Sequence, residues 1–197
     1  SPIAILNAFK FAEPEPVGRT VILDLGSKTT NLIILEGEKI YNRSINFAGN
    51  TITNEIAKQF GCTFEEAEQL KLERGYVALG GVTADEDEVT DRVSKIIRTV
   101  FTRLHAEISR SVNFYRSQQG GSAPSRLFLT GGTARLPQLD QFFTESLQVE
   151  VEFLNPFNGV SFGSKIDQGA LETDLFALTE SVGLALRGGD EAWLKIN

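Results

Sequence analysis

Several residue types on which common protein chemistries depend are scarce in this sequence. The 197 residues include one cysteine, Cys62, one histidine, His105, and no methionine. Single copies cannot form a disulfide framework or a Cys/His metal cluster within the chain, and we do not expect catalysis through either residue. Because the sequence also opens with Ser1 and Pro2, we expect it to be a fragment of a longer protein.

Positive charge and long apolar runs are scarce as well. The 19 lysines and arginines are outnumbered by 26 aspartates and glutamates, which gives a net charge of -7 at pH 7. This balance disfavours a nucleic-acid partner, because phosphate backbones are bound by clustered lysine and arginine. No apolar run approaches the roughly 20 residues of a membrane-spanning helix, and the first residues lack the layout of a signal peptide. We therefore expect the chain to lie in the cytosol unless a partner recruits it.

The stretch at residues 21–36 is the most informative in the chain. Two apolar runs with strand composition flank a polar turn, which predicts a β-hairpin. A glycine lets backbone amides approach an anion, the turn hydroxyls add donors, and Asp24 at the strand end could hold a hydrated Mg2+. The alternative is an ordinary hairpin with a polar turn. The turn consists of Gly26, Ser27, Lys28, Thr29 and Thr30.

Hydrophobic periodicity predicts the elements around this hairpin. We expect a helix over residues 3–11, a third strand over 39–47, helices over 50–60 and 64–74, and a long amphipathic helix over 89–119. Strands over 126–130 and 149–153, a helix opening at Pro137 and a helix over 175–186 complete the prediction. Asn50 is expected to cap the helix that ends at Gly61.

Two further motifs are candidates for ligand contacts. Glu68 and Lys71 lie one turn apart on a predicted helix, where the alternatives are a solvated ion pair and a pair of ligand contacts. Gly131 and Gly132 separate a strand from a predicted helix. Their missing side chains would let a flat ligand lie against the backbone near a helix N-terminus, although such a junction is commonly just a turn.

Together these motifs resemble, in type and order, those of the actin, Hsp70 and sugar-kinase superfamily. DLGSKTTN is similar to its second phosphate loop, AEQLK to its ribose-contacting helix, and LTGGTARLP to its adenine-contacting junction. The resemblance implies an α/β, actin-like (RNase-H-like) ATPase domain with ATP and Mg2+ as cofactors. The residues that would face phosphate and magnesium are Asp24, Gly26, Ser27, Thr29 and Thr30, with Mg2+ held by Asp24 through water. The resemblance places Glu68 and Lys71 at the ribose, and Gly131, Gly132 and Arg135 beside the base. It adds Lys28, Asn31 and Thr133 as further cofactor-binding residues.

Within the superfamily, the sequence most resembles the PilM family, the FtsA-related proteins of type IV pilus assembly. The similarity rests on LNAFKF, EPEPVGRTVILDLGSKTTNLIILEG, FAGNTITNEIAKQFGCTFEEAEQLK, SVNFYRSQQG, LTGGTARLPQL, FLNPF and SVGLALRG. It implies the second half of an actin-like fold, with the N-terminal half of the full fold absent. Residues 1–11 would be an interdomain helix, residues 12–47 and 89–197 the RNase-H-like core domain, and residues 48–88 a small inserted helical subdomain.

The family resemblance implies an ATP-binding cytoplasmic scaffold of the pilus inner-membrane assembly platform. It would bind the cytoplasmic tail of a PilN-like membrane protein, would lie peripherally at the inner membrane through such partners, and would contact other platform proteins or itself. Where actin has a histidine this chain has Asn31, which cannot act as a general base, so we expect at most slow ATP hydrolysis. Two alternatives stay open: an actin-like interaction scaffold that has lost nucleotide binding, and a small-molecule kinase of the same superfamily.

Overall fold

Five β-strands form one mixed sheet in the computed structural model, which describes residues 1–14, 18–80, 87–120, 123–163, 169, 171 and 174–188. The strands are β1 (Thr20–Leu25), β2 (Thr30–Glu36), β3 (Lys39–Ile45), β4 (Arg126–Thr130) and β5 (Glu150–Phe153). In the order β3-β2-β1-β4-β5, the first three strands are antiparallel, whereas β4 and β5 run parallel to β1. The predicted hairpin and third strand are confirmed, and two parallel strands extend them.

Helices flank this sheet on both faces. The α-helices are α1 (Pro2–Ala12), α2 (Gly49–Phe60), α3 (Phe64–Arg74), α4 (Glu88–Gln119), α5 (Leu139–Leu147) and α6 (Thr179–Ala185). Short 3-10 helices span Gly132–Arg135, Leu175–Leu178 and Leu186–Gly188. No helix in the described ranges has both the length and the apolarity needed to cross a membrane.

Each face of the sheet has its own hydrophobic cluster, because neighbouring strand residues point to opposite faces. Val21 and Leu23 of β1 pack with residues of α2, α3, α4 and α5, among them Phe101. Ile22, which lies between them, packs on the other face with Phe9 of α1. The sheet is therefore the middle layer of an α/β structure, which confirms the predicted class.

The ends of α2 and α3 follow the sequence signals with one exception. Gly61 ends α2 in the left-handed conformation with φ of 66°, and Thr63 and Glu66 form a reciprocal capping box at the start of α3. The expectation that Asn50 caps α2 is wrong, because the helix begins one residue earlier and Ala48 is its N-cap residue. The described part of residues 48–88 thus forms two successive helices, which pack on each other and on α4.

Two predictions in the second half of the chain need correction. Pro137 is not in the first turn of α5, because Gln138 adopts a left-handed φ of 65° and the helix begins only after it. The single helix predicted over residues 175–186 is a 3-10 helix followed by α6. Phe176 O, in that 3-10 helix, accepts hydrogen bonds from Gly131 N at 3.0 Å and from Thr130 Oγ1 at 3.2 Å, so this carbonyl faces the turn after β4. The paired prolines in the sequence predict an extended link over residues 13–18, and the glycine pair and acidic cluster predict a loop over residues 80–88. Both segments lie partly outside the described residues.

We predict that Gly183→Ala destabilises the protein where α1 and α6 cross. An added Cβ at Gly183 would lie 1.8 Å from Ala4 O, so the two helix backbones would have to separate. Overpacking of this kind costs about 1–3 kcal/mol, which should appear as a lower free energy of unfolding in urea. Gly163→Ala is the control, because nothing lies within 4 Å of its added Cβ. Equal stability of the two variants would contradict the close crossing.

Candidate functional site

The loops that follow β1 and β4 meet at one edge of the sheet. Asp24 near the end of β1 lies in register with Thr130 at the end of the parallel strand β4. Gly131 has a φ of 87°, and a Cβ there would lie 2.5 Å from Leu25 O and 2.7 Å from Asp24 Oδ1. Only glycine permits so close an approach in this conformation. The Gly-Gly turn is therefore pressed against the end of β1, outside the carboxyl ends of the parallel strands, where α/β sheets commonly bind ligands.

The loop between β1 and β2 has its carbonyl groups fixed on one side. Gly26 O accepts hydrogen bonds from Gly49 N at 3.1 Å and from Thr133 Oγ1 at 2.8 Å, and Ser27 O accepts one from Asn50 N at 2.7 Å. In a trans peptide, the N–H of the next residue points opposite to the carbonyl. The amides of residues 27 and 28 therefore point away from α2, and neither has a hydrogen-bond partner among the described residues.

The side chains of this loop divide into an exposed group and one that supports the loop. Ser27 and Lys28 are exposed and Thr29 is half-buried. Thr30 is completely buried and its hydroxyl donates to Phe47 O at 2.5 Å. This contact corrects the expectation that the Thr30 side chain faces a phosphate, because its one hydroxyl hydrogen is already engaged inside the protein.

Asp24 is a half-buried carboxylate held by an amide. Its Oδ2 accepts a hydrogen bond from Asn31 Nδ2 at 2.8 Å, and Asn31 Oδ1 in turn accepts one from Ser44 Oγ at 2.7 Å. Burial raises the pKa of Asp24 above its usual value, and the hydrogen bond from Asn31 partly opposes that rise. A carboxylate whose ionisation is disfavoured by burial gains stability when a cation comes to rest beside it. Asn31 orients Asp24 in this arrangement, since both ends of its amide are engaged.

The helical motif forms a compact network rather than a solvated pair. Lys71 Nζ donates to Glu68 Oε2 at 2.7 Å, to Thr53 Oγ1 at 2.9 Å and to Gly49 O at 3.5 Å. The Lys71 side chain is only 8% exposed, whereas that of Glu68 is 35% exposed. Of the two alternatives left open by the sequence, the fully solvated ion pair is therefore wrong for Lys71.

Two residues that sequence reasoning did not single out join the three motifs. A Cβ on Gly49 would lie 2.7 Å from Thr133 Oγ1, 3.5 Å from Gly26 O and 3.7 Å from Lys71 Nζ. Thr53, one turn later on α2, is completely buried. The sequence signal that could have identified Thr53 is its position as a polar residue on the otherwise apolar, inward-facing side of α2. Together these contacts bring the loop after β1, the α2–α3 pair and the turn after β4 into one site.

The remaining predicted residues lie at the rim of this site. Gly132 is exposed, and nothing lies within 4 Å of a Cβ added to it. Arg135 is exposed, and its Nη1 lies 3.4 Å from Asp174 Oδ1. The element that follows the glycines is the four-residue 3-10 helix Gly132–Arg135. Among the described residues, no α-helix therefore begins directly after the glycines, and the predicted electrostatic effect of an α-helix N-terminus on a bound anion is absent there.

Comparison with known proteins identifies the family. Residues 13–189 match the family described as type IV pilus assembly protein PilM. The chain belongs to this family. The cell division protein FtsA of Agrobacterium fabrum (strain C58 / ATCC 33970) is 29% identical over 136 residues, which cover 60% of this chain and 30% of FtsA. The predicted PilM-type and FtsA-like relationship is thus confirmed.

Solved structures agree on the fold. One chain of a PilM-PilN type IV pilus biogenesis complex superposes with a TM-score of 0.79 at 28% identity, covering 96% of this chain and 52% of that chain. MreB5 of Spiroplasma citri bound to AMPPNP superposes with a TM-score of 0.64 at 16% identity, covering 93% of this chain and 56% of that chain. The actin-like fold is confirmed, and this PilM-family chain spans about half the length of these structures.

We predict that Asp24→Asn stabilises the ligand-free protein near neutral pH. Because burial raises the pKa of Asp24 in the folded state, folding favours the protonated carboxyl, and the stability linked to that proton is lost as pH rises through the folded pKa. An asparagine cannot ionise and can still accept the hydrogen bond from Asn31. The free energy of unfolding at pH 7 should rise by about 1 kcal/mol in urea titrations.

The pH series supplies the control for this prediction. The difference in free energy of unfolding between Asp24→Asn and the parent should decrease as the pH falls toward 4, because the carboxyl of the parent is increasingly protonated there. Glu38→Gln, in the exposed turn between β2 and β3, should change stability by less than about 0.5 kcal/mol at every pH. A loss of stability in Asp24→Asn at pH 7 would mean that the charge of Asp24 is stabilised by the folded protein.

Proposed function

We propose that this chain supplies one wall of an ATP and Mg2+ site in an actin-like scaffold of the type IV pilus assembly platform. The observation that carries the proposal is the loop at residues 26–29, in which the carbonyls of Gly26 and Ser27 accept from the start of α2 and the amides of residues 27 and 28 are directed away from it. Successive amides that face outward from a turn form a concavity that binds anions such as phosphate.

The surroundings of this loop support a phosphate and metal assignment. Lys28 and Ser27 are exposed on the loop and can add a positive charge and a hydroxyl donor. Asp24 lies at the base of the loop, with its Oδ2 oriented by Asn31. Mg2+ keeps several waters and is commonly held by one or two carboxylates together with substrate phosphates, so a single carboxylate at this position fits its requirements.

The other motifs support the assignment of the rest of a nucleotide. Glu68 presents a partly exposed carboxylate near Gly49, which suits contact with sugar hydroxyls. Gly132 leaves its surface open beside the exposed guanidinium of Arg135, which suits a flat base and its stacking on that side chain. The same overall fold is bound to AMPPNP in MreB5 of Spiroplasma citri.

Slow turnover or switching fits this site better than rapid catalysis. The amide of Asn31 is engaged with Asp24 and Ser44, and an amide does not act as a general base near neutral pH. We therefore propose that nucleotide changes the balance between conformations of the whole protein, to the extent that it binds one of them more tightly.

A PilN-like membrane protein is the partner that the family best supports. A PilM-family structure was solved as a PilM-PilN complex, and 96% of this chain is covered in the superposition. We assign this partner, through its cytoplasmic tail, to the whole protein, because the present chain covers 52% of the matched one. Binding of this kind would place the protein peripherally at the inner membrane, with other platform proteins as further contacts.

The proposal is tested by titrating a fluorescent ATP analogue with Mg2+ into the full-length protein. Asp24→Ala should weaken binding at least tenfold, or about 1.4 kcal/mol, because it removes the carboxylate proposed to hold the hydrated metal. Glu38→Ala, in the turn at the far end of β2, should bind as the parent does.

Chelation of Mg2+ separates a metal-mediated role of Asp24 from a structural one. EDTA should lower the affinity of the parent to that of Asp24→Ala, and should leave the variant unchanged. A folded full-length protein that binds no nucleotide would refute the proposal, and would favour an actin-like interaction scaffold that has lost nucleotide binding.

A further inference from the structure

We infer that Thr53 and Lys71 are positioning residues that hold the carboxylate of Glu68 for a sugar hydroxyl, and thereby make the site selective for nucleotides that carry this hydroxyl. The inference rests on the proposed nucleotide function and assigns different roles to two residues of the α2–α3 network. Glu68 is the group that contacts the ligand. Lys71, which family resemblance places at the ribose, acts through Glu68.

The ammonium of Lys71 has no donor left for a ligand. It carries three hydrogens, and three oxygens surround it: Glu68 Oε2 at 2.7 Å, Thr53 Oγ1 at 2.9 Å and, at the limit of hydrogen-bond distance, Gly49 O at 3.5 Å. Its side chain is 8% exposed. A ligand could reach this nitrogen only by breaking one of these contacts.

Thr53 links the start of α2 to α3. Its hydroxyl accepts from Lys71, and its own single hydrogen is within reach of both Glu68 Oε2 and Gly49 O. Thr53 is completely buried, so no water competes for these contacts. Thr53 and Lys71 thus approach the same oxygen of Glu68 from two helices and fix its direction.

The second oxygen of Glu68 remains available. Glu68 Oε1 has no hydrogen-bond partner among the described residues, and the side chain is 35% exposed. An ionised carboxylate oxygen can only accept hydrogen bonds, so its ligand must be a donor such as a hydroxyl. Because one oxygen of Glu68 is already held in place, the side chain loses less conformational entropy when a donor binds to the other oxygen.

The test compares Mg2+ complexes of ATP, 2′-deoxy-ATP and 3′-deoxy-ATP in the full-length protein. The parent should bind ATP about fivefold more tightly than at least one deoxy analogue, since the missing hydroxyl leaves a charged acceptor without its donor. Thr53→Val removes the hydroxyl at nearly constant volume. It should reduce that preference to less than about twofold, mainly by weakening ATP. Thr53→Ser keeps the hydroxyl and should keep the preference.

A merely structural role of Thr53 gives a different result. Thr53→Val would then weaken all three nucleotides by the same factor and leave their ratios unchanged, which would overturn the inference. Equal binding of ATP and both deoxy analogues by the parent would overturn it as well, while leaving the proposed function intact. A parent that binds none of the three would refute the proposed function and this inference with it.

A double-mutant cycle tests Lys71 independently of whether Thr53→Val folds. If Lys71 acts only through Glu68, Lys71→Met should reduce the preference for ATP in the parent, and should have no further effect once Glu68→Gln is present. If Lys71 contacts the nucleotide directly, the losses in affinity from the two substitutions should add. Additive losses would therefore overturn the assignment of Lys71 as a positioning residue.

Discussion

The peptide group between Gly26 and Ser27 connects three parts of the site: the loop after β1, the start of α2 and the turn after β4. Its carbonyl is held by an amide from α2 and by a hydroxyl from the turn after β4. Thr133, which supplies that hydroxyl, lies 107 residues away in the sequence. The contacts from this loop also cap α2, whose N-cap residue Ala48 provides no side-chain hydrogen bond. Helix N-termini leave several amides without partners, and here the carbonyls of the loop satisfy two of them. Loop and helix therefore stabilise each other.

Two charged residues of the site, Asp24 and Lys71, differ in how well the protein satisfies their charge. Asp24 is half-buried with one amide donor, and partial burial raises its pKa and so disfavours its charge. Lys71 is more deeply buried, yet it is surrounded by acceptors. A buried charge without sufficient partners is expected at ligand sites, where function outweighs stability, whereas a satisfied one gives rigidity. Of the two charged residues, Lys71 is thus satisfied by the protein itself, whereas Asp24 is the one that we propose is completed by a hydrated cation.

Local sequence signals predicted the elements well, and tertiary contacts account for what they missed. The capping box at Thr63 and the left-handed stop at Gly61 depend on neighbouring residues alone, so they could be read directly. Thr29 and Thr30 look equivalent in the sequence, but only Thr30 turns inward, because Phe47 O lies within reach of its hydroxyl. The hydrogen bond from Gly131 N to Phe176 O, just before α6, likewise joins residues 45 positions apart that no local signal connects. The grouping of the three motifs was predicted by resemblance, whereas the roles of Gly49 and Thr53 required the structure.

The crossing of α1 and α6 has a mechanical consequence. At Gly183 the two helices touch backbone to backbone, with no side chain between them that could deform. One turn before α6, Phe176 O holds the amide of Gly131 and the hydroxyl of Thr130 at the rim of the site. α1 is therefore connected to the turn at Gly131 through α6 and the 3-10 helix that precedes it. A tilt of α1 would therefore also move the turn at Gly131, where we propose that the base of a nucleotide lies.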